Sequence, residues 1–291
     1  MPSAHPPLDP APDVVPTPPN PAVRVDEEHI FERDLREWRS RSGRALVELF
    51  RSVVGLVAVV FRRWGVQATA VLTLVVGGGL ALWIASGAAE VYEGVQHAEG
   101  VAALDQPVLD WAASTRTPTT SALVTDYTDI GGPVGGVVLS ALVLVVLVLV
   151  WRRWTPAVLL LAGLAGSLLV TVVGKDVTGR ARPPHELAVP PFEASASFPS
   201  GHTLNATVLA GLTAYLLLIV SRRVWLGVVG VITAAAYAVS MGLSRVWLGH
   251  HWLTDVIAGW LLGIAWVLLV ITVHRLVLTL RSHHPAHPPR D

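Results

Sequence analysis

Six apolar runs, each long enough to cross a bilayer, constrain this chain more than any other feature of its sequence: residues 68–88, 134–151, 155–174, 203–220, 224–243 and 256–273. In hydrocarbon the backbone satisfies its own hydrogen bonds only as a helix or a closed barrel, and about 20 apolar residues suffice for a spanning helix. The runs are continuous rather than alternating, so the expected fold is all-α, a six-transmembrane-helix bundle with both ends of the chain on one side. Composition agrees: 52% of the 291 residues are hydrophobic and 14% charged, too apolar for an ordinary soluble domain.

The flanks read differently. Residues 1–43 are expected to be a disordered, charged extension, crowded with Pro and Ala at first and then, from Val25 to Arg44, charged and helical with a solvated face. The first apolar run begins past residue 40, too far from the start for a cleavable signal. Residues 44–65 read as an interfacial helix, because Glu48 and Arg51 interrupt the apolar stretch and Arg62-Arg63-Trp64 closes it. The membrane domain is then 66–275, and 276–291 is a disordered tail whose His283, His284 and His287 lie among prolines. Arg62-Arg63, Arg152-Arg153, Arg222-Arg223, Arg275 and Arg281 all fall on one side of a six-helix topology, which places that side in the cytoplasm. The expected location is a multi-pass position in the plasma membrane, with the loops at 89–133, 175–202 and 244–255 on the extracytoplasmic face. Gly77-Gly78-Gly79, inside the first run, is expected to be close helix packing rather than a phosphate loop.

Two of these outer loops break the charge rule, since Lys175, Arg180, Arg182 and Arg245 stand where basic residues are normally sparse. Lys175 is also the one lysine among 21 basic residues. It opens the pattern K-x6-R-P, ending at Arg182-Pro183; Pro199-Ser200-Gly201-His202 closes the same loop, and the next turn carries S-R-x5-H-x3-D from Ser244 and Arg245 to His251 and Asp255. Three cations, two imidazoles and one carboxylate therefore meet on one membrane face.

Phosphate is the small anion that guanidinium forks and an ammonium group match best. Lys175, Arg182 and Arg245 can neutralise its oxygens, while the Ser200 hydroxyl and Gly201 amide sit where the fourth spanning helix begins and its dipole favours an anion. His251 and Asp255 stand four apart at the start of the last helix, so the carboxylate can hold Nδ1–H and leave Nε2 as a nucleophile. His202, from a different loop, suits a general acid that protonates the leaving oxygen and later activates water. Cations already supply the charge, so the expectation is no metal and no cofactor. With no cysteine, thiolate ligands and cysteine nucleophiles are excluded, and zero net charge gives no field that would gather nucleic acid.

These three blocks resemble the signature of the type 2 phosphatidic acid phosphatase family, the membrane branch of the superfamily that includes bacterial acid phosphatases and vanadium haloperoxidases. The resemblance covers residues 70 to 275, including Leu104-Asp105-Gln106 and Asp129-Ile130-Gly131-Gly132, which look like that family's amphipathic segment. It implies an acid phosphatase/haloperoxidase-like bundle in which Lys175, Arg182, Ser200, Gly201 and Arg245 bind phosphate, His202 is the acid, His251 the nucleophile and Asp255 its orienting partner. The implied activity is hydrolysis of a lipid phosphate or diphosphate, such as phosphatidic acid, phosphatidylglycerol phosphate or a polyprenyl diphosphate, through a phosphohistidine.

The implied partners are a lipid phosphate substrate and membrane lipids, with no nucleic acid; a homo-oligomer is compatible with the pattern but nothing selects one. A non-catalytic lipid-headgroup binding or transport protein is the alternative, although it has no use for an imidazole–carboxylate pair facing a second imidazole. Vanadate-dependent peroxidase chemistry fits six spans less well than lipid processing does. Arg180 is left open between substrate contact and solvent or headgroups, His250 is a neighbour of the nucleophile, and His185 and Glu186 read as ordinary loop residues.

Overall fold

The computed structural model describes residues 29–30, 33–34, 41–221 and 223–281. Among the described residues, eight α-helices carry the architecture: α1 (Arg41–His97), α2 (Asp105–Thr115), α3 (Pro118–Asp129), α4 (Pro133–Trp151), α5 (Thr155–Thr178), α6 (Gly201–Val220), α7 (Val224–Trp247) and α8 (Leu253–Arg281). Six segments among the described residues are long and apolar enough to span a membrane: Gln67–His97 of α1, then α4, α5, α6, Trp225–Trp247 of α7, and α8. The protein is thus an all-α, multi-pass membrane protein.

Boundaries depart from expectation where apolar content fades before anything breaks the helix. The first span continues to His97 and the last to Arg281, past 275, because Leu276, Val277, Leu278 and Leu280 are sound helix residues and the first proline beyond them is Pro285. The 44–65 segment belongs to α1, which turns at Gly65 with φ 74°, a left-handed conformation that glycine adopts without a Cβ clash. Within 25–44, expected to be helical, the described residues His29–Ile30 and Arg33–Asp34 pair as a two-residue antiparallel ribbon instead. That register sets His29 opposite Asp34 and Ile30 opposite Arg33. The disordered-tail expectation for 282–291, with its histidines, lies outside the described residues, as does the one for 1–28.

The expected outer loop 89–133 is largely helical. A 3₁₀ turn at Gly100–Leu104 leads into α2, and Thr117 caps α3 through a reciprocal hydrogen-bonded box with Thr120.

Helix α6 is the core of the bundle, with Leu204, Val208, Leu212 and Leu216 fully buried among α5, α7 and α8. Small residues let those backbones approach: a Cβ on Gly211 would stand 2.9 Å from Val267 Cγ2, and one on Gly263 would stand 2.7 Å from Thr207 Cβ. Of the glycine triplet, Gly77 packs against Thr272 of α8, as a close-packing position should, whereas Gly78 and Gly79 face open space. Helix α4 is packed far more lightly, with Leu147 its one buried residue while Val134, Val137 and Leu149 are exposed; those side chains suit lipid.

Candidate active site

All three sequence blocks arrive at the same end of the bundle. Lys175 lies in the last turn of α5 and Arg182 just beyond it, Ser200 is the N-cap residue of α6 with Gly201 and His202 its first two residues, Arg245 lies in the last turn of α7, and Asp255 is the third residue of α8. Every predicted site residue is therefore brought into one locality.

His251 is buried at 1% exposure. Its Nδ1 faces Asp255 Oδ2 at 3.3 Å, and Arg182 Nη1 stands 3.2 Å from its Nε2. Because an arginine nitrogen can only donate, Nε2 is the lone-pair nitrogen and Nδ1 carries the proton toward the carboxylate. Burial, reinforced by Arg182 and Arg245, holds this imidazole well below its ordinary value, with Glu193 opposing. The neutral tautomer required of a nitrogen nucleophile is the one this surrounding favours.

Asp255 acts first as a local structural residue. It accepts the Trp252 N–H at 2.9 Å from the third position of α8, the return half of a capping box. The i,i+4 relation to His251 thus comes from the helix entry rather than from within the helix, which starts at Leu253. Ser197 Oγ also donates to Asp255 Oδ2, and Arg180 Nη1 binds Oδ1 at 2.5 Å. Neither contact was evident from sequence: Arg180 pairs with two buried carboxylates, Asp255 and Asp105.

The cation cluster is held by the 179–200 loop. Arg182 donates through Nε to Ser195 O at 2.7 Å and through Nη1 to His250 O at 2.6 Å; Lys175 Nζ reaches Ser195 Oγ at 3.2 Å and Ala196 O. Arg245 is 2% exposed, with Nη1 3.3 Å from Thr128 Oγ1 and a buried Nε that has no partner. Glu193 ties the arginines together, pairing with Arg182 Nη2 at 2.7 Å and with Arg245 Nη2. Burial raises its carboxyl, but Arg245 and Arg182, aided by His251 and His202, pull it down to about 2. Glu193 lies in the loop stretch that carries no motif, and its sequence neighbours, Pro191, Phe192, Ala194 and Ser195, give no sign of the arginines it meets.

Backbone geometry fixes the walls. Gly249 has φ 73°, and a Cβ there would collide with Leu187 O, so the turn before His250 tolerates no larger residue without moving the loop. Gly132 at the start of α4 lies beside His202: a Cβ would stand 3.5 Å from His202 Nε2 and 3.1 Å from Asp129 O. His250 turns away from the cluster, its Nε2 donating to Val189 O at 2.6 Å. His185 stacks on Phe192 with ring centroids 4.6 Å apart, outside the cation cluster.

A cavity of about 610 Å³ runs from this cluster into the bundle. Lys175, Glu193, His202 and His251 line its polar end; Leu144, Leu160, Leu164 and Leu209 line its shaft between α4, α5 and α6. One end suits an anion and the other a hydrocarbon tail.

Comparison with known proteins gives concordant likenesses. The profile of the PAP2 superfamily matches residues 156–277. Phosphatidylglycerophosphatase B of Bacillus subtilis (strain 168) is 31% identical over 183 residues, covering 60% of this chain and 85% of that protein. An undecaprenyl-diphosphatase of Sulfolobus acidocaldarius is 41% identical over 71 residues, 24% of this chain and 30% of its own length. Among solved structures, a transmembrane PAP2-type phosphatidylglycerolphosphate phosphatase from Bacillus subtilis matches with a TM-score of 0.60 at 27% identity, covering 67% of this chain and 96% of that one.

Proposed function

Because this chain belongs to the PAP2 superfamily and is a membrane lipid phosphatase of that type, we propose that it cleaves the phosphate of a lipid monoester or diphosphate through a phosphohistidine on His251. The observation that carries this reading is the pairing of Arg182 Nη1 with His251 Nε2 at 3.2 Å while Nδ1 faces Asp255. A phosphoryl group seated on that guanidinium lies next to the nitrogen lone pair.

In the reaction, Lys175, Arg182 and Arg245 hold the phosphate oxygens, with the Ser200 hydroxyl and Gly201 amide at the head of α6 adding donors. His251 Nε2 attacks phosphorus, the bond to the ester oxygen breaks, and His202 gives that oxygen its proton. A water then attacks the phosphohistidine, passing a proton to His202; the N–P bond breaks and inorganic phosphate leaves. The cations stabilise charge on the phosphoryl oxygens in a site shielded from bulk water.

The relatives' names divide between a glycerolipid monophosphate and a polyprenyl diphosphate. Both present a terminal phosphate on an apolar tail, the form the cavity accommodates. The reaction faces the outside of the plasma membrane on this reading, because Arg152, Arg153, Arg223, Arg275 and Arg281 lie at the opposite ends of the helices from the site.

Phosphate release by the purified protein from phosphatidic acid, phosphatidylglycerol phosphate and undecaprenyl diphosphate, with chelator and with His251→Ala alongside, tests the reading. Release that persists in chelator and disappears in the variant, with an acid-labile, base-stable phosphoenzyme in the wild type, is expected. Turnover by His251→Ala, or a phosphoenzyme located elsewhere, overturns the mechanism. The sequence lacks cysteine, so single cysteines placed at Glu186 and at Arg153 report the sidedness with an impermeant maleimide in intact cells.

A further inference from the structure

The reaction as proposed uses Asp255 but leaves unexplained what holds a fully buried carboxylate in place beneath the imidazole. Its two oxygens are divided: Oδ2 takes the His251 Nδ1, Ser197 Oγ and Trp252 N contacts, and Oδ1 takes Arg180 Nη1. Arg180 is in turn divided between two carboxylates, with Nη2 on Asp105 Oδ2 at 2.7 Å. Asp105 closes the arrangement, because its Oδ1 accepts the Thr254 N–H at 2.9 Å and its Oδ2 accepts Thr254 Oγ1 at 2.7 Å.

Asp105 is 6% exposed and begins α2, in the segment between the first two spans. That helix is anchored by Leu109 and Ala112, each at 1% exposure, and by Arg116, whose Nε donates to Trp247 O at 2.6 Å. The Arg180 guanidinium lies over the Trp252 ring, 5.6 Å from its centroid, and the Trp252 indole donates to Ala181 O at 2.9 Å. Arg180 is thereby confined on three sides, with one buried anion at each end of its fork.

The geometry points to Asp105 as a positioning residue for the reaction: it fixes Arg180 and the first turn of α8 together, so that Asp255 turns one oxygen permanently toward His251. This inference rests on the proposed role of His251 and Asp255. The physical reason is that Arg180 is, among the described residues, the one side chain bound to Asp255 Oδ1, so a guanidinium that loses its second carboxylate can shift and let the Asp255 carboxyl tilt out of line with His251 Nδ1. With Asp105 present, both guanidinium nitrogens are committed and the fork cannot follow. The outer helix α2 is then part of the catalytic support, since it carries the carboxylate that sets the orientation of a histidine on another element.

Asn at 105 keeps an oxygen for the Thr254 N–H, and so keeps the helix cap, while it withdraws the charge from Arg180. The test compares Asp105→Asn, Arg180→Gln, the double variant and His251→Ala. The substrate is whichever of phosphatidic acid, phosphatidylglycerol phosphate and undecaprenyl diphosphate the wild type hydrolyses fastest, with melting temperature measured on each protein. Asp105→Asn is expected to lower kcat by roughly 10- to 100-fold, the range for loss of a group that orients a functional histidine, with KM unchanged and a melting temperature near that of the wild type. The double variant is expected to be no slower than Arg180→Gln alone, since the two act in series. Wild-type kcat in Asp105→Asn, a loss seen only in KM, or losses that multiply in the double variant overturns the inference. Should Asp105→Asn not fold, Arg180→Lys keeps the Asp105 cap and the charge but cannot engage both carboxylates, and unchanged kcat there also overturns it. A dead His251→Ala beside a fully active Asp105→Asn sinks this inference alone, whereas an active His251→Ala sinks the proposed mechanism and the positioning role with it.

Discussion

Glu193 ion-pairs with Arg245, a guanidinium whose side chain is 2% exposed, in the same cradle where a phosphate would meet it. The carboxylate also holds Arg182, so the arginines face each other across a negative group. On the proposed function, an incoming phosphate would compete with Glu193 for these donors.

Glu193→Gln is accordingly expected to bind inorganic phosphate and orthovanadate more tightly, by about tenfold, because the anion no longer competes with a resident charge. The protein without anion should melt at a lower temperature, since Arg182 and Arg245 lose their shared counter-charge, and phosphate should restore it. Inhibition constants and melting temperatures with and without phosphate check both halves. An unchanged inhibition constant would contradict the exchange.

His250 predicts a pH dependence of stability. Burial lowers this histidine to about 4 from 6.5, Arg245 and Arg182 contributing in the same direction, while the hydrogen bond to Val189 and the charge of Glu193 oppose. The unfolded chain takes up the proton first, so stability is lost as pH falls below 6.5, and the His250 share of the loss levels off near pH 4. His251 is shifted in the same sense. His250→Gln can still donate to Val189 O without titrating, so its melting temperature should fall less steeply over that range than that of the wild type. Parallel curves for the two proteins would remove His250 from the account.

Ser197 shares Asp255 Oδ2 with the His251 ring. Ser197→Ala should lower kcat by about tenfold, the worth of one hydrogen bond to a charged group. Asp255→Asn should cost on the order of a thousandfold or more, because it disturbs the tautomer of His251, the proposed nucleophile. Steady-state kinetics on one lipid substrate orders the two, and equal losses would contradict the division of roles.

Ala141 lines the apolar shaft on the lightly packed helix α4. Ala141→Phe is expected to raise KM for a long-chain lipid phosphate several-fold and to leave a short-chain, water-soluble phosphate ester unaffected, since only the former needs the shaft. A uniform change for both would mean that the tail lies elsewhere.

The residues that make chemistry legible in this chain are those that fall in short, ordered blocks: Lys175 with Arg182, Ser200 to His202, and Arg245 with His251 and Asp255. Their common side followed from counting bilayer-length runs, because an even number of crossings separates each pair of outer loops. Arg180 was visible yet could not be assigned, since whether a basic loop residue meets solvent or a carboxylate depends on what packs above it. Glu193 and Ser197 lay in a stretch without a motif, and Asp105, although it stands in the segment that resembles the family's, carried no sign of its partner Arg180.

The continuity and length of the apolar runs determined the six-helix, multi-pass fold, because hydrocarbon leaves the backbone so few choices. The sequence also determined which polar residues reach one face. Only the tertiary structure decided which cation pairs with which anion: Arg180 lies two residues from Arg182, yet one binds Asp255 and Asp105 while the other binds Glu193 and the His251 ring. Those choices are made by elements distant in the chain, α2 above all, and they depend on distances of a few ångströms that no local pattern encodes.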